Sequence, residues 1–346
     1  TMTLVRATAG KMVPVRVSQK RLAALPAHSS AAGFQLAAHF FGSIINTGTF
    51  AILSAALPRD SDEHRRKLSA EASLRGMNTS ATWSPFFVAF AVGQGFIDKT
   101  NSWFAIALGG LTALLFNLVT LPIFTPGLNL ERIKISLVCL KPIASGLTIV
   151  LVSVLGVALL FDLTALSAVV VVMPVLVTVY FFLNKEDIRE ILKNTRGWLL
   201  QTADDIFVIS IAMLVGFLVT RSGTVPVIIS QFHTGPIPGW FALTATPVIM
   251  TLASFIGIHP VITSTTLLSL FTGGQAEVHP ALLMQGHLVG WAAGTMSSVA
   301  SLSILTCASL YRVSSRRLAF GPNLWAATLF SLFSGLVLSL ANGFLS

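Results

Sequence analysis

The chain has 346 residues, of which 54% are hydrophobic and 10% are charged, and its mean hydropathy is +0.81. A soluble domain carries about 25% charged residues, so the composition excludes an ordinary soluble protein and predicts an all-α polytopic integral membrane protein. The net charge of +9 lies in short segments between apolar runs, a pattern that excludes nucleic acid as a partner. The two cysteines, Cys139 and Cys307, have no paired spacing, so we expect neither a disulfide framework nor a metal site.

The first apolar stretch, residues 34–57, has basic residues on both sides. Four precede it within 11–21, and five follow it between Arg59 and Arg75. Basic residues concentrate on the cytoplasmic side of a membrane protein, so a simple crossing would place one flank on the wrong side. The stretch is therefore predicted to be a re-entrant hairpin that enters from the cytoplasm and returns to it.

The remaining apolar runs predict membrane spans and a second hairpin. Runs long enough to cross a bilayer, about 17–25 residues, are 76–96, 103–123, 142–161, 163–183, 286–309 and 324–344, and a shorter one is 205–220. The stretch 239–272 is too long for one straight span and contains Gly257, His259 and Pro260, which interrupt a helix. Its flanks, 222–238 and 273–285, contain no Lys or Arg. It is predicted to be a second hairpin, entered from outside.

This predicted topology, called the threading below, places almost all basic residues on one side of the membrane. Of the 22 Lys and Arg residues, only Lys99 and Arg221 fall outside the cell, and Arg6 is unassigned. Such a bias agrees with the positive-inside rule. It predicts a multi-pass protein of the inner (plasma) membrane, with the lipid bilayer as its surroundings.

The order of the segments predicts two inverted repeats, residues 1–123 and 142–346. Each unit has a hairpin, a polar-centred span and a closing span, and the hairpins enter from opposite sides, as in secondary transporters. The second unit has three spans before its hairpin, whereas the first has none. The first unit is therefore expected to be incomplete at its N-terminus, in a protein shortened by about three helices.

The predicted hairpin tips are polar. The first contains Asn46, Thr47 and Thr49, and the second contains His259 followed by the run Thr263–Thr266. Helix N-termini at such tips offer N–H groups to an anion, and free carbonyl and hydroxyl oxygens can hold Na+. The alternative is that these hydroxyls bond to the backbones of their own helices.

The span after each hairpin has a polar interruption. The first contains Thr82 and Ser84 before Pro85, and the second contains Thr295 and Ser297. Pro85 removes a backbone donor, so local unwinding is expected there. Packing of small residues between helices is the alternative reading of both interruptions.

Ionisable residues inside a membrane are candidates for function. His259 is the best of them because it lies at a predicted tip, although a structural histidine bonded to a carbonyl is the alternative. For His39 and His287 a structural role is favoured. No Asp or Glu falls in the middle of a predicted span, which argues against a proton pump built around a buried carboxylate. The stretch 185–200 is predicted to be an amphipathic helix in the cytoplasmic interface.

The architecture of residues 24–344 resembles the ion transporter superfamily that includes divalent-anion and citrate symporters, arsenite permeases and some sodium/proton antiporters. In the divalent-anion branch the hairpin tips carry Ser-Asn-Thr; Asn46 and Thr47 match the last two positions, and Ile45 replaces the serine. The second tip has His259 and Thr263–Thr266 without an asparagine. The resemblance implies a homodimer with a scaffold and a moving transport domain, an elevator motion, and an anionic substrate.

The sequence thus predicts a secondary active transporter of a small organic or inorganic anion, coupled to Na+ or H+, with no cofactor beyond a transported or coupling Na+. A passive channel or a membrane enzyme is the alternative, although the chain lacks the His-Glu-x-x-His and Gly-x-Ser-x-Gly motifs. It is not expected to be an enzyme. The residues predicted to bind substrate or ion are Asn46, Thr47, Thr49, Thr82, Ser84, His259, Thr263, Ser264, Thr265, Thr295 and Ser297.

Overall fold

A computed structural model describes residues 8–184 except 59, scattered positions between 207 and 222, and residues 235–345 except 273–275. This part of the chain is all-helical. Its first eight helices are α1 Val13–Ala23, α2 Ala27–Ile45, α3 Gly48–Ser54, α4 Glu63–Ser80, α5 Val88–Gly93, α6 Lys99–Phe124, α7 Leu130–Leu160 and α8 Ala165–Asn184. Six more follow residue 235: α9 Gly239–Phe255, α10 Pro260–Phe271, α11 Pro280–Ser297, α12 Leu302–Tyr311, α13 Ser315–Ala319 and α14 Pro322–Leu345.

Five helical segments of the described residues are long and apolar enough to cross a membrane. They are Lys99–Phe124, Leu130–Leu160, Ala165–Asn184, Pro280–Tyr311 and Ser315–Leu345. They overlap the predicted spans 103–123, 142–161, 163–183, 286–309 and 324–344, and all but the third begin earlier. Apolar helices of this length are typical of a membrane protein.

Other predicted segments differ from the structure or lie outside it. The predicted span 76–96 is two helices, since α4 ends at Ser80 and α5 begins at Val88. Helix α7 begins at Leu130, where the Asn129 side chain accepts from Arg132 N over 2.9 Å, so Lys134 and Lys141 lie in a helix rather than in a loop. The predicted interfacial helix 185–200 lies outside the described residues, as does most of 205–220.

Both stretches predicted to be hairpins are pairs of helices. Helices α2 and α3 are separated by Asn46 and Thr47, and α9 and α10 by residues 256–259. Each break contains a backbone with positive φ, 50° at Asn46 and 90° at Gly257. A right-handed helix cannot continue through such a residue, so the breaks fall where the polar tips were expected.

The two ends of the second helix pair lie near one another. Ile237 and Ala276 form an isolated bridge, with Glu277 N donating to Ile237 O over 3.1 Å. The chain therefore leaves the second pair close to where it entered. In the first pair, the Gln19 side chain of α1 donates to the carbonyl of Ile52 in the middle of α3 over 2.8 Å, so α1 lies beside α3.

Glycines allow the helices of each half to pack closely. Helix α2 lies along α4, where a Cβ on Gly76 would be 2.0 Å from the carbonyl oxygen of Gln35. Helix α9 lies along α11, where a Cβ on Gly290 would be 2.9 Å from Cα of Pro247. Without a hydrophobic force between helices in lipid, such close backbone contact is the main source of association. In both halves it fixes the helix pair against the interrupted helix that follows.

Candidate functional site

A cavity of about 150 Å³ lies where the two breaks meet the two interrupted helices. Asn46 and Thr47 line it from the first break, and Gly257 to Pro260 line it from the second. The interrupted helices contribute the residues around their own breaks. These are Asn78, Phe87 and Val88 from one helix, and Trp291, Thr295, Ser298, Ala300, Ser301, Leu302 and Ser303 from the other.

The first break places two polar side chains at the cavity. Asn46 and Thr47 are half-buried, and among the described residues neither side chain has a hydrogen-bond partner in the protein. Asn46 has φ 50° and ψ −133°, a backbone conformation that non-glycine residues rarely adopt and that costs about 1–3 kcal/mol. Strain of this kind concentrates where a ligand is held. The free amide and hydroxyl are therefore available to a bound solute.

His259 caps the N-terminus of α10 at the second break. Its Nδ1 accepts from Val261 N over 3.2 Å, so in the neutral ring the proton lies on Nε2. The ring packs edge-on against Trp291, with 6.0 Å between the ring centroids. Because Nδ1 is occupied by the cap, Nε2–H is the donor that His259 has left for a solute in the cavity.

The second interrupted helix presents an N-terminus to the cavity. Ser301 caps α12 by accepting from Ile304 N over 3.2 Å, and Leu302 and Ser303 begin the helix. The first N–H groups of a helix have no partner within the helix. The N-terminal end of a helix also carries partial positive charge. Since Leu302 and Ser303 both line the cavity, this end favours an electron-rich solute.

Asn78 connects the two interrupted helices. Its Oδ1 lies 2.8 Å from the Thr295 hydroxyl and accepts from the Ser303 hydroxyl over 3.1 Å, while its Nδ2 donates to Leu74 O over 2.9 Å. Asn78 is 1% exposed, so these bonds form away from bulk solvent. The amide therefore holds α4 against α11 and α12 directly beside the cavity.

The structure brings four of the predicted binding residues to the cavity and places the other seven elsewhere. Asn46, Thr47, His259 and Thr295 line the cavity. Four of the remaining hydroxyls donate to carbonyls of their own helix or turn: Thr82 to Thr79, Thr263 to Pro260, Thr265 to Val261 and Ser297 to Ala293. This is the alternative that the sequence left open for such residues.

Three predicted residues have other surroundings. The Ser84 hydroxyl donates to the carbonyl of Ser43 and so joins the first interruption to α2. Ser264 bonds Nδ1 of His287 over 2.7 Å. The Thr49 hydroxyl is buried and has no hydrogen-bond partner among the described residues.

His287 and His39 both hold helices together. Nε2 of His287 lies 2.8 Å from Ala89 O, so together with Ser264 the ring links α11, α10 and α5. Nδ1 of His39 lies 3.2 Å from Gly76 O, and Trp83 donates to Nε2 over 3.0 Å. Because Nε2 of His39 accepts from Trp83, its Nδ1 is the nitrogen that donates to Gly76 O, and this ring is neutral. The structural role favoured by the sequence fits both residues.

The electrostatic character of the cavity follows from its lining. Among the described residues that line it, none is Asp, Glu, Lys or Arg, and His259 is the one ionisable side chain. These residues offer a solute neutral donors and the dipole of α12 rather than a countercharge. Among the described residues, no group of three His, Cys, Asp or Glu could hold a metal ion. The arrangement is suited to binding a small polar or anionic solute reversibly.

The predicted set omitted Asn78, Ser301 and Ser303. Ser301 precedes the apolar run 302–311, which is the pattern of a helix N-cap and is visible in the sequence. Asn78 lies among other polar residues of α4, and nothing in its spacing shows that α12 packs against it. Only the tertiary contact reveals its role.

Comparisons of the chain with protein-family models, with curated proteins and with solved structures found no match.

Proposed function

We propose that the protein is a secondary active transporter of a small anion, built from two inverted repeats with re-entrant hairpins and working as a homodimer by an elevator motion. The observation that carries the proposal is the cavity itself. Two helix breaks and two interrupted helices, from segments more than 200 positions apart, line one space of about 150 Å³. Substrate sites of secondary transporters are formed by discontinuous helices at the interface of their repeats.

The geometry of the helix pairs supports the hairpins. Ile237 bridges Ala276 where the second pair begins and ends, and the breaks of both pairs line the cavity. A helix pair that crossed the bilayer would have its two ends on opposite sides. Non-helical backbone at membrane depth is stable only where it is buried in protein or lines a cavity. Both breaks meet that condition.

Two ion pairs support the proposed sides of the membrane. Lys99 pairs with Asp162, and the threading places both outside. Glu63 pairs with Arg317, and the threading places both in the cytoplasm. An incorrect threading would be expected to join residues assigned to opposite sides.

The cavity favours a small substrate. Its volume of about 150 Å³ is smaller than the about 300–1,000 Å³ of pockets that hold drug-sized ligands. The N-terminus of α12, the Nε2–H of His259 and the free Asn46 amide all donate hydrogen bonds, as an anion requires. Transport is coupled to Na+ or H+, because accumulation of an anion inside a negative cell needs a driving ion.

The test uses the full chain reconstituted in liposomes and a panel of radiolabelled small anions: acetate, phosphate, sulfate and citrate. We expect uptake of at least one anion, driven by a Na+ or H+ gradient, with trans-acceleration by the unlabelled anion. Uptake without trans-acceleration would indicate a passive channel. Absence of uptake for the whole panel, with or without a gradient, would contradict the proposal.

Asn46 provides the variant that ties uptake to the cavity. Asn46→Ala removes the amide and is expected to abolish uptake while leaving membrane insertion unchanged. Asn46→Gly removes the same amide but also suits the positive φ, so its stability should equal or exceed that of the wild type. Unchanged uptake kinetics in Asn46→Gly would show that the Asn46 amide does not bind the substrate.

A further inference from the structure

A buried carboxylate lies on α4, about two turns before the cavity residue Asn78. Glu71 is 2% exposed, and its Oε1 accepts no hydrogen bond among the described residues. The nearest cation is Lys67, whose Nζ lies 3.6 Å from Oε1. From the other side the turn before α14 approaches so closely that a Cβ on Gly321 would be 3.0 Å from Oε1. The carboxylate is therefore enclosed by protein with one partly exposed partner.

Arg75, one turn later, is also buried but does not pair with Glu71. Its Nε donates to Gln35 Oε1 over 2.9 Å and its Nη1 to Asn323 Oδ1 over 2.7 Å. The guanidinium also lies over the Phe124 ring, 4.1 Å from the centroid. These neutral partners hold the Arg75 side chain in place. Glu71 acts on Arg75 through the attraction of the two charges, without a direct ion pair among the described residues.

Among the described residues, the charged and titratable groups that act on Glu71 or lie beside it come from α4 and α12. Its own helix contributes Lys67, Arg75 and the exposed His64, and α12 contributes the thiol of Cys307, which donates to the carbonyl of residue 70. Burial raises the pKa of Glu71 above its ordinary range, and Lys67 and Arg75 oppose the shift without cancelling it. Glu71 thus gains a proton more readily than a carboxyl in water does.

The position of Glu71 connects it to the proposed transport site. Asn78 lies seven residues further along α4, about 10 Å at 1.5 Å per residue and on the same face. Asn78 accepts from Ser303 on α12, while Asn323 of α14 donates to the carbonyl of Glu71 over 3.1 Å. Glu71 therefore lies at the contact between α4 and the start of α14, on the same helix as a residue that lines the cavity.

We propose that Glu71 binds the proton that is coupled to transport. The assignment rests on the proposed function and names H+ as its coupling ion. The proton is taken up from water by the carboxylate and returned to water when the carboxyl ionises. No other bond is made or broken.

The first experiment requires no substrate. The carboxylic-acid C=O infrared band of the full chain in nanodiscs is followed against pH for the wild type, Glu71→Gln and the control Glu63→Gln, an exposed residue on the same helix. We expect the band that titrates at the highest pH to be lost in Glu71→Gln and kept in Glu63→Gln. A band that persists in Glu71→Gln overturns the proposal.

A second variant keeps the carboxyl in place. Lys67→Met removes the nearest cation, so the titration of the same band should move to higher pH. This result does not depend on how well Glu71→Gln folds. A band that does not move in Lys67→Met also contradicts the assignment.

The transport experiment uses an anion that the wild type carries. An acid-outside gradient should accelerate wild-type and Glu63→Gln uptake. Glu71→Gln should lose this acceleration but retain exchange without a gradient. Acceleration retained in Glu71→Gln overturns the coupling role. If the wild type carries no anion in the panel, the proposed function fails, whereas the infrared result still decides whether Glu71 binds a proton.

Discussion

The hydroxyl of Thr295 lies 2.8 Å from Oδ1 of Asn78, although 217 positions separate the two residues. Ser303 donates to the same oxygen over 3.1 Å. The interrupted helices of the two halves are thereby held together at one amide that also lines the cavity. A change at Asn78 should therefore affect stability and solute binding together.

Replacement of Asn78 tests this junction. Asn78→Ala leaves the buried hydroxyl of Ser303 without its acceptor, so a loss of about 1–3 kcal/mol is expected. The apparent melting temperature of the purified protein and the uptake of its anion should both fall. Asn184→Ala is the matched control, because Asn184 is exposed and bonds its own helix. Equal effects of the two variants would contradict the role of Asn78.

Gly109 and Gly110 form a matched pair on α6. A Cβ on Gly109 would lie 1.8 Å from the carbonyl oxygen of Thr82, whereas a Cβ on Gly110 would meet nothing within 4 Å. Gly109→Ala should cost about 1–3 kcal/mol through overpacking. Gly110→Ala should be neutral or stabilising by up to about 1 kcal/mol, since alanine is the better helix former. Melting curves that rank the two variants in the opposite order would exclude this contact between α6 and the first interruption.

His287 tests the packing behind the cavity. His287→Leu removes the hydrogen bonds to Ser264 and to the carbonyl of Ala89, and the loss should be about 1–3 kcal/mol for each buried group left unpaired. His64→Leu should change stability by less than about 0.5 kcal/mol, because His64 is exposed. Thermal unfolding of both variants in the same detergent is the measurement. A His287→Leu protein as stable as the control would show that the ring does not join these helices.

Cysteine labelling tests the first hairpin. In a background without Cys139 and Cys307, single cysteines at Lys20 and His64 should both react only with a reagent added from the cytoplasm, because the threading puts both flanks there. A cysteine at Asp162, exposed and predicted to be external, is the control for the opposite side. Labelling of positions 20 and 64 from opposite sides would make 34–57 an ordinary span and end the inverted-repeat proposal.

Much of the helical framework was determined by the sequence itself. Long apolar runs in a chain with 10% charged residues have few stable solutions other than helices, because a backbone in lipid must satisfy its own hydrogen bonds. The positions of the two helix breaks also follow from the residues at those breaks. Gly257 adopts a φ of 90° that favours glycine, Pro260 suits the first position of α10, and Asn is among the few side chains that tolerate positive φ.

The tertiary structure decided which residues line the cavity. A polar side chain in a helix bonds either its own backbone or a neighbouring element, and spacing along the chain does not distinguish the two. Thr265 bonds the carbonyl of Val261, whereas Thr295 faces Asn78 and the cavity. Glu71 is the clearest case. In the sequence it lies near four basic residues and resembles a solvated loop residue. In the structure α12 and the turn before α14 enclose it, and this burial raises its pKa.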